Sequence, residues 1–469
     1  MKILLISPEG ACPENCSPLG EIFWRFKLGY QAAGHEVLSI VPLHSRLYTS
    51  LENLKEVFSG EDPHTGRSFR VFQKEGDQVF LISQPDFFNR NGIYDENGII
   101  FTDNHLRFAF FASAALYFAH SQNFIPHKIH AHEWAGALAC VFAKNQYVAQ
   151  FPKSFVQLTL HNLKYDYCIL EEQIHEAGLN PELFKFEGYE FWGKASLIKA
   201  GVLAADEVVL TSSHYMHQIL NSHSSRGFSG FLEEHVSKIR GIQTAIDYEI
   251  WNPEQPVPGL VPYSNKNFLI NKPKNRALFL NKLACACQDG VVLGARVNGI
   301  SGEMARVLAT ILSNLLTFDL RLVLMISQSH EKFEYFLRVA EMNPDRLLIF
   351  SADSEADLKL FFSGIDASLI WMNEEPSGAL LLKSLAMGVP PLVCQGMPGI
   401  DPLIDLNADY AKANCILGDN HHPDQMLRVI REFCETKATD PDQWNLLVKN
   451  ALGVRVKWSQ VVKDYNQNI

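Results

Sequence analysis

Histidines, carboxylates and a tryptophan stand directly behind short apolar runs. His161 follows the run at 156–159, and His132, Glu133 and Trp134 follow the run at 128–131. In an open parallel sheet, ligands bind outside the carboxyl ends of the strands, which is where these side chains would emerge. His161 there is either a ligand contact or a hydrogen-bonded loop histidine. A tryptophan closing such a turn either stacks on a ligand or joins the core, and His132 and Glu133 share its edge of the sheet. Further along, Glu375-Pro376-Ser377-Gly378 opens a predicted helix. A carboxylate at that position complements the positive helix end, and the Ser377 and Gly378 amides are free to meet a phosphate. Lys383 lies eight residues after Glu375 on the same predicted helix, either reaching the site or solvated at the surface.

Strand-like runs alternate with helical stretches, the pattern of parallel sheets with crossover helices. Runs at 2–7, 36–42, 79–83, 128–131, 156–159 and 207–211 read as strands of a first series. Helical stretches at 20–33, 106–120 and 134–142 lie between them, and Gly34 stands where the first helix needs a left-handed residue. Pro256, Pro258, Gly259 and Pro262 then form the clearest linker signal. A second series has strands at 322–326, 347–350, 367–371 and 391–393. The expected architecture is α/β, two doubly wound Rossmann-like domains facing across a cleft.

Bulk properties narrow the function. The 469 residues suit two or three domains, with 47% hydrophobic and 20% charged residues, as in ordinary globular chains. The formal net charge is −11 and no basic cluster interrupts it, which argues against nucleic acid or an anionic membrane as partner. No run approaches the roughly 20 apolar residues of a membrane span. The apolar start of the chain is too short for a signal-peptide core. Nine cysteines are scattered without CxxC pairs or zinc-finger spacing, so thiols in a reducing, cytoplasmic compartment are expected, with no metal and no cofactor.

Ordered motifs resemble the bacterial glycogen synthase and plant starch synthase family along nearly the whole chain. They include Pro85-Asp86-Phe87-Phe88-Asn89-Arg90-Asn91-Gly92-Ile93-Tyr94 with Asp103-Asn104-His105-Leu106-Arg107-Phe108, His130-Ala131-His132-Glu133-Trp134 and Leu160-His161-Asn162-Leu163. Phe191-Trp192-Gly193-Lys194, Lys199-Ala200-Gly201, Ala205-Asp206, Ile246-Asp247-Tyr248, Trp251-Asn252-Pro253 and Glu375-Pro376-Ser377-Gly378 continue the series. Trp458 and Tyr465 sit where the family's last helix returns to the first domain.

The resemblance implies the GT-B fold, divided here as residues 1–252 (acceptor-side domain), 253–450 (nucleotide-sugar domain) and 451–469 (returning helix). It also implies ADP-glucose as donor, an α-1,4-glucan as acceptor, transfer with retention and no metal. By that resemblance His161 contacts the transferred glucose, Glu375 binds donor sugar hydroxyls, and Arg296 contacts the diphosphate. Gly20, Glu21, Ser377, Gly378 and Lys383 fall on the donor side, and His132, Glu133 and Trp134 on the acceptor side.

The chain departs from the family at its phosphate contacts. The family's Lys-x-Gly-Gly-Leu-Gly-Asp reads Asn15-Cys16-Ser17-Pro18-Leu19-Gly20-Glu21, and the lysine five residues after Arg296 is Ser301. The Thr-Gly-Gly-Leu loop reads Gly396-Met397-Pro398-Gly399-Ile400, and the hinge Asn-Gly reads Thr244-Ala245. Losing one charge-stabilising donor slows such reactions roughly 10²- to 10³-fold. Lys383 or Lys164 stands as a possible replacement cation. Three readings follow: a synthase with rewired phosphate contacts, a catalytically degenerate glucan-binding or regulatory relative, or a transferase using another nucleotide sugar.

Overall fold

The structure is a computed structural model that describes residues 1–10, 17–45, 54–74, 78–163, 166–221, 227–255, 257–285, 290–297, 302–352, 354–370, 378–394, 401–420 and 422–469. The chain divides into two compact units, Met1–Ile242 with Trp458–Ile469, and Gln243–Lys457.

The first unit is built on a nine-stranded sheet among the described residues. Its parallel strands, in chain order, are Lys2–Ile6, Glu36–Pro42, Val79–Ser83, Lys128–His132, Phe155–Leu160, Glu207–Leu210 and Ile239–Gly241. In space they run 3-2-1-4-5-6-7. Strands covered on both faces need continuous apolar runs, and Ile3, Leu4, Leu5 and Ile6 are all fully buried. The antiparallel strands Ser68–Lys74 and Leu54–Glu61 extend the sheet beyond Val79–Ser83. The helix Asn104–Ser121 is apolar on most of its circumference, with Phe108, Phe110, Phe111 and Phe118 buried, as a helix enclosed by its neighbours must be. The helices Glu133–Lys144 and Leu197–Ala204 approach so closely that a Cβ on Gly201 would fall 2.3 Å from that of Ala137.

The helix expected at 20–33 begins earlier, as Pro18–Ala32. Ser17 caps it, and Pro18 occupies the first turn, where its missing N–H costs nothing. Gly34 then adopts φ +79°, the left-handed geometry that ends the helix.

Among the described residues the second unit carries a six-stranded parallel sheet. Its strands are Val291–Arg296, Leu320–Met325, Leu347–Phe350, Ala367–Ile370, Pro391–Cys394 and Ile416–Gly418, in spatial order 3-2-1-4-5-6. Both sheets therefore reverse direction beside their first strand, the switch point where doubly wound folds open a crevice. Trp251 is fully buried near the start of this unit. Its indole N–H donates to Glu355 at 2.8 Å, and Lys383 Nζ lies 4.9 Å from its ring centre. Among the described residues no helix is long and apolar enough to cross a membrane.

Candidate functional site

In the first unit the switch point lies between Lys2–Ile6 and Lys128–His132, which pair in parallel from Ile3–Lys128 to Ile6–Ala131. His132 ends its strand, and Glu133 turns the chain into a helix with φ +61°. A left-handed residue other than glycine is strained, and such strain concentrates at functional sites. The turn aims the Glu133 carboxyl at the next strand end, where Oε1 accepts the His161 backbone N–H at 2.9 Å. His161 stacks on His132, ring centres 5.4 Å apart and 5° from parallel, while His132 Nδ1 and His161 Nε2 share a hydrogen bond of 3.1 Å.

All three side chains are buried, and that burial sets their charge. Desolvation pushes the Glu133 carboxyl up to about 8, against the lowering effect of the His161 backbone N–H and assisted by the nearby Glu9 charge. Desolvation likewise takes His161 down to about 3 and His132 well below the usual imidazole range, with the His161 charge adding to the latter. Both imidazoles are therefore neutral near pH 7. Two neutral imidazoles sharing one hydrogen bond present one outward N–H and one outward lone pair in either tautomer pair. His132 Nε2, His161 Nδ1 and Glu133 Oε2 are buried and have no hydrogen-bond partner among the described residues. An unmet buried polar atom costs about 1–3 kcal/mol, so three together make this strand edge the candidate site for a polar ligand.

Two contributors to this cluster are absent from the sequence-based site residues. Glu9, just beyond the first strand, accepts the Tyr94 hydroxyl at 2.7 Å, and burial raises its carboxyl. An acid immediately behind a parallel strand was the available signal. His130 is the second. Its Nδ1 meets Tyr30 Oη at 3.0 Å, its Nε2 meets Thr159 Oγ1 at 2.8 Å, and its ring centre is 4.4 Å from that of His132.

Trp134 is placed differently from its acceptor-side neighbours. Its indole stacks on Tyr167 at 4.7 Å, takes the edge of Phe108 at 5.0 Å, and is only 6% exposed. That is the placement of a core tryptophan, and it leaves no open ring face for a sugar. Gly20 and Glu21 lie in the first turn of Pro18–Ala32. The Gly20 amide donates to Ser17 Oγ at 3.0 Å and the Glu21 amide to the Ser17 carbonyl at 2.9 Å, so these donors are consumed within the cap.

In the second unit Arg296 ends the first strand of its sheet, beside the switch point, opposite Met325. Its Nε is buried with no partner among the described residues. Gly378 adopts φ +65° at the N-cap of the helix Ala379–Ala386. Lys383 is not a solvated lysine. Its side chain is 15% exposed, lies over Trp251, and comes within 4.0 Å of Glu355 Oε1. Glu375 and Ser377 fall outside the described residues, as do Asn15, Lys164, Ser301, Met397 and Pro398.

The titrations predict a pH effect on stability. Glu133 keeps in the fold a proton that the unfolded chain releases above the ordinary carboxyl range, so its contribution is present at low pH and lost as pH rises through about 8. His161 acts oppositely, contributing above the ordinary imidazole value near 6.5 and losing it as pH falls toward 3. Between pH 6.5 and 8 only the carboxyl side of this pair titrates. Glu133→Gln is expected to shrink the fall in Tm across that window, as read by calorimetry. An unchanged slope would contradict the assignment.

Comparison with known proteins places this geometry in context. A family model described as starch synthase catalytic domain matches residues 2–234. The glycogen synthase of Geotalea daltonii is 24% identical over 479 residues, covering 100% of this chain and 98% of its own length. That of Syntrophotalea carbinolica is 25% identical, covering 99% and 97%, and that of Moorella thermoacetica is 26% identical, covering 100% and 96%. Among solved structures, the catalytic domain of starch synthase IV from Arabidopsis thaliana, bound to ADP and acarbose, superposes with a TM-score of 0.84 at 19% identity over 99% of this chain and 98% of its own. Sucrose-phosphate synthase from Thermosynechococcus elongatus gives 0.59 at 12% identity, over 100% and 98%.

Proposed function

We propose, from the premise that this chain belongs to the glycogen and starch synthase family as a divergent member, that it transfers glucose from ADP-glucose to the non-reducing end of an α-1,4-glucan with retention. It is a glycosyltransferase of the glycogen/starch synthase type with the GT-B fold. The observation that carries the reading is the trio of unmet buried atoms on His132, Glu133 and His161 at the strand ends. A neutral donor–acceptor pair beside a carboxyl matches the hydroxyls of a hexose, which both donate and accept. His161 would contact the transferred glucose, with Glu133 bracing its backbone. On the donor side Arg296 would meet the diphosphate in the bidentate manner of a guanidinium, and Glu375 the donor sugar hydroxyls. Retention keeps acceptor and departing diphosphate on one face of the sugar, so a diphosphate oxygen can take the proton of the attacking hydroxyl.

A second reading, a glucan-binding relative with weak or no turnover, has its own support. Ser17 occupies the Gly20 amide, and lysine is missing at Asn15 and Ser301. Lys383 is the candidate replacement cation, though its contacts with Glu355 and Trp251 compete for its charge.

The experiment is incorporation of labelled glucose from ADP-glucose into glycogen by purified protein, with Glu375→Ala as control and UDP-glucose in parallel. Incorporation well above the control supports the synthase. Incorporation from UDP-glucose alone reassigns the donor, and none from either, with glycogen still bound, leaves the glucan-binding relative.

A further inference from the structure

The strands Glu190–Phe191 and Lys194–Ser196 form a tight hairpin in which Phe191 pairs with Lys194. Its two loop residues, Trp192 and Gly193, have φ of +53° and +78°. Turns of this kind take Asn-Gly or Gly-Gly, because positive φ is costly for a residue with a bulky side chain. Trp192 also gains little by burial, being 82% exposed. Packing is left to its neighbour Phe191, whose ring stacks on Phe228 at 4.4 Å. A tryptophan both conformationally disfavoured and displayed to water serves neither the turn nor the core.

Phe186, six residues earlier, is likewise 79% exposed. Lys199 holds the two segments together from beneath. Its Nζ donates to the Phe186 carbonyl at 3.3 Å and the Glu190 carbonyl at 2.7 Å, and lies 4.5 Å from the Phe231 ring centre. The Glu190 carboxylate in turn accepts the Gly193 amide at 2.6 Å. The hairpin leads into the helix Leu197–Ala204, which runs back to feed the strand Glu207–Leu210.

We propose that Trp192 and Phe186 form a second contact for an α-glucan chain, on the outer surface of the first unit and distinct from the buried His132–His161 cluster. The proposal rests on the reading of α-glucan as acceptor. Around the rings the exposed charges of Lys185 and Lys194 offset those of Glu182 and Glu187, leaving a near-neutral polar rim. Separate aromatic faces within such a rim suit a ligand whose ring faces carry C–H groups and whose edges carry hydroxyls. A protein partner would ask for a continuous apolar patch. On a branched polymer, a second contact keeps chain ends near the site and raises their effective concentration.

Trp192→Asn tests this without threatening the fold, because it installs the Asn-Gly turn that the geometry favours. Full-length protein is run in native gels containing graded glycogen, with Phe186→Ala beside it, and Tm is recorded for each. The expected result is an apparent glycogen affinity roughly tenfold weaker in Trp192→Asn, as for loss of an aromatic anchor, with Tm equal or higher. Equal retardation of wild type and Trp192→Asn, or no retardation of wild type, overturns the proposal. Transfer from ADP-glucose to maltotriose, measured in parallel, separates the two readings. Transfer with unaltered Trp192→Asn retardation sinks the outer contact alone. Retardation sensitive to Trp192 without transfer sinks the synthase and keeps the contact.

Discussion

On the proposed synthase reading, His161→Ala is expected to transfer glucose roughly 10²- to 10³-fold more slowly than the unaltered chain, the loss that follows removal of a preorganised polar contact to the reacting sugar. The substitution deletes the outward Nδ1 and leaves His132 Nδ1 without its partner at 3.1 Å. Because both imidazoles are neutral, the loss is one of hydrogen bonding rather than of a general acid. It should therefore appear in kcat, with the KM for glycogen little changed, and without the collapse of one limb of the pH–rate profile. The backbone of residue 161 keeps its hydrogen bond to Glu133, so the strand end should hold its place. A rate within threefold of wild type would remove His161 from the reaction.

Tyr465→Ala is expected to lower the stability of the first unit by about 3–5 kcal/mol, the range for deleting a large buried ring. Tyr465 lies in the helix Trp458–Tyr465, which returns to this unit from the end of the chain. Its ring is 1% exposed, with centres 4.6 Å from Phe26 and 5.3 Å from His130. Its carbonyl accepts from Lys128 Nζ at 2.8 Å and from Gln157 Nε2 at 3.1 Å. Loosening the helix would leave the buried Lys128 short of a partner, an added penalty. Tyr465→Phe removes only the hydroxyl, which bonds Thr159, and should cost about 1 kcal/mol. Urea denaturation followed by near-ultraviolet dichroism measures both. A loss below about 1 kcal/mol for Tyr465→Ala would show that the terminal helix contributes little to this unit.

The strand–helix alternation was legible because parallel strands buried on both faces leave apolar runs that need no distant information. Val79–Ser83 and Leu347–Phe350 lie where those runs place them. The hairpin Leu54–Glu61 with Ser68–Lys74 was not legible, since a largely exposed edge strand carries little apolar signal. The helix start was readable in principle, as Ser17 before Pro18 is a local cap signal. Starting the helix at residue 20 missed it.

The chain's order of residues determined by itself which elements form and which family its motifs resemble, because periodicity, caps and motif spacing are local properties. Tertiary structure alone decided what each side chain became. Trp134 went to the core because Phe108 and Tyr167, distant in the chain, close over it. Glu9 and Tyr94 entered the cluster, Lys383 settled over Trp251, and Trp192 was left in water. Burial and partnership are set by segments far apart in sequence, and only the folded sheets bring those segments together.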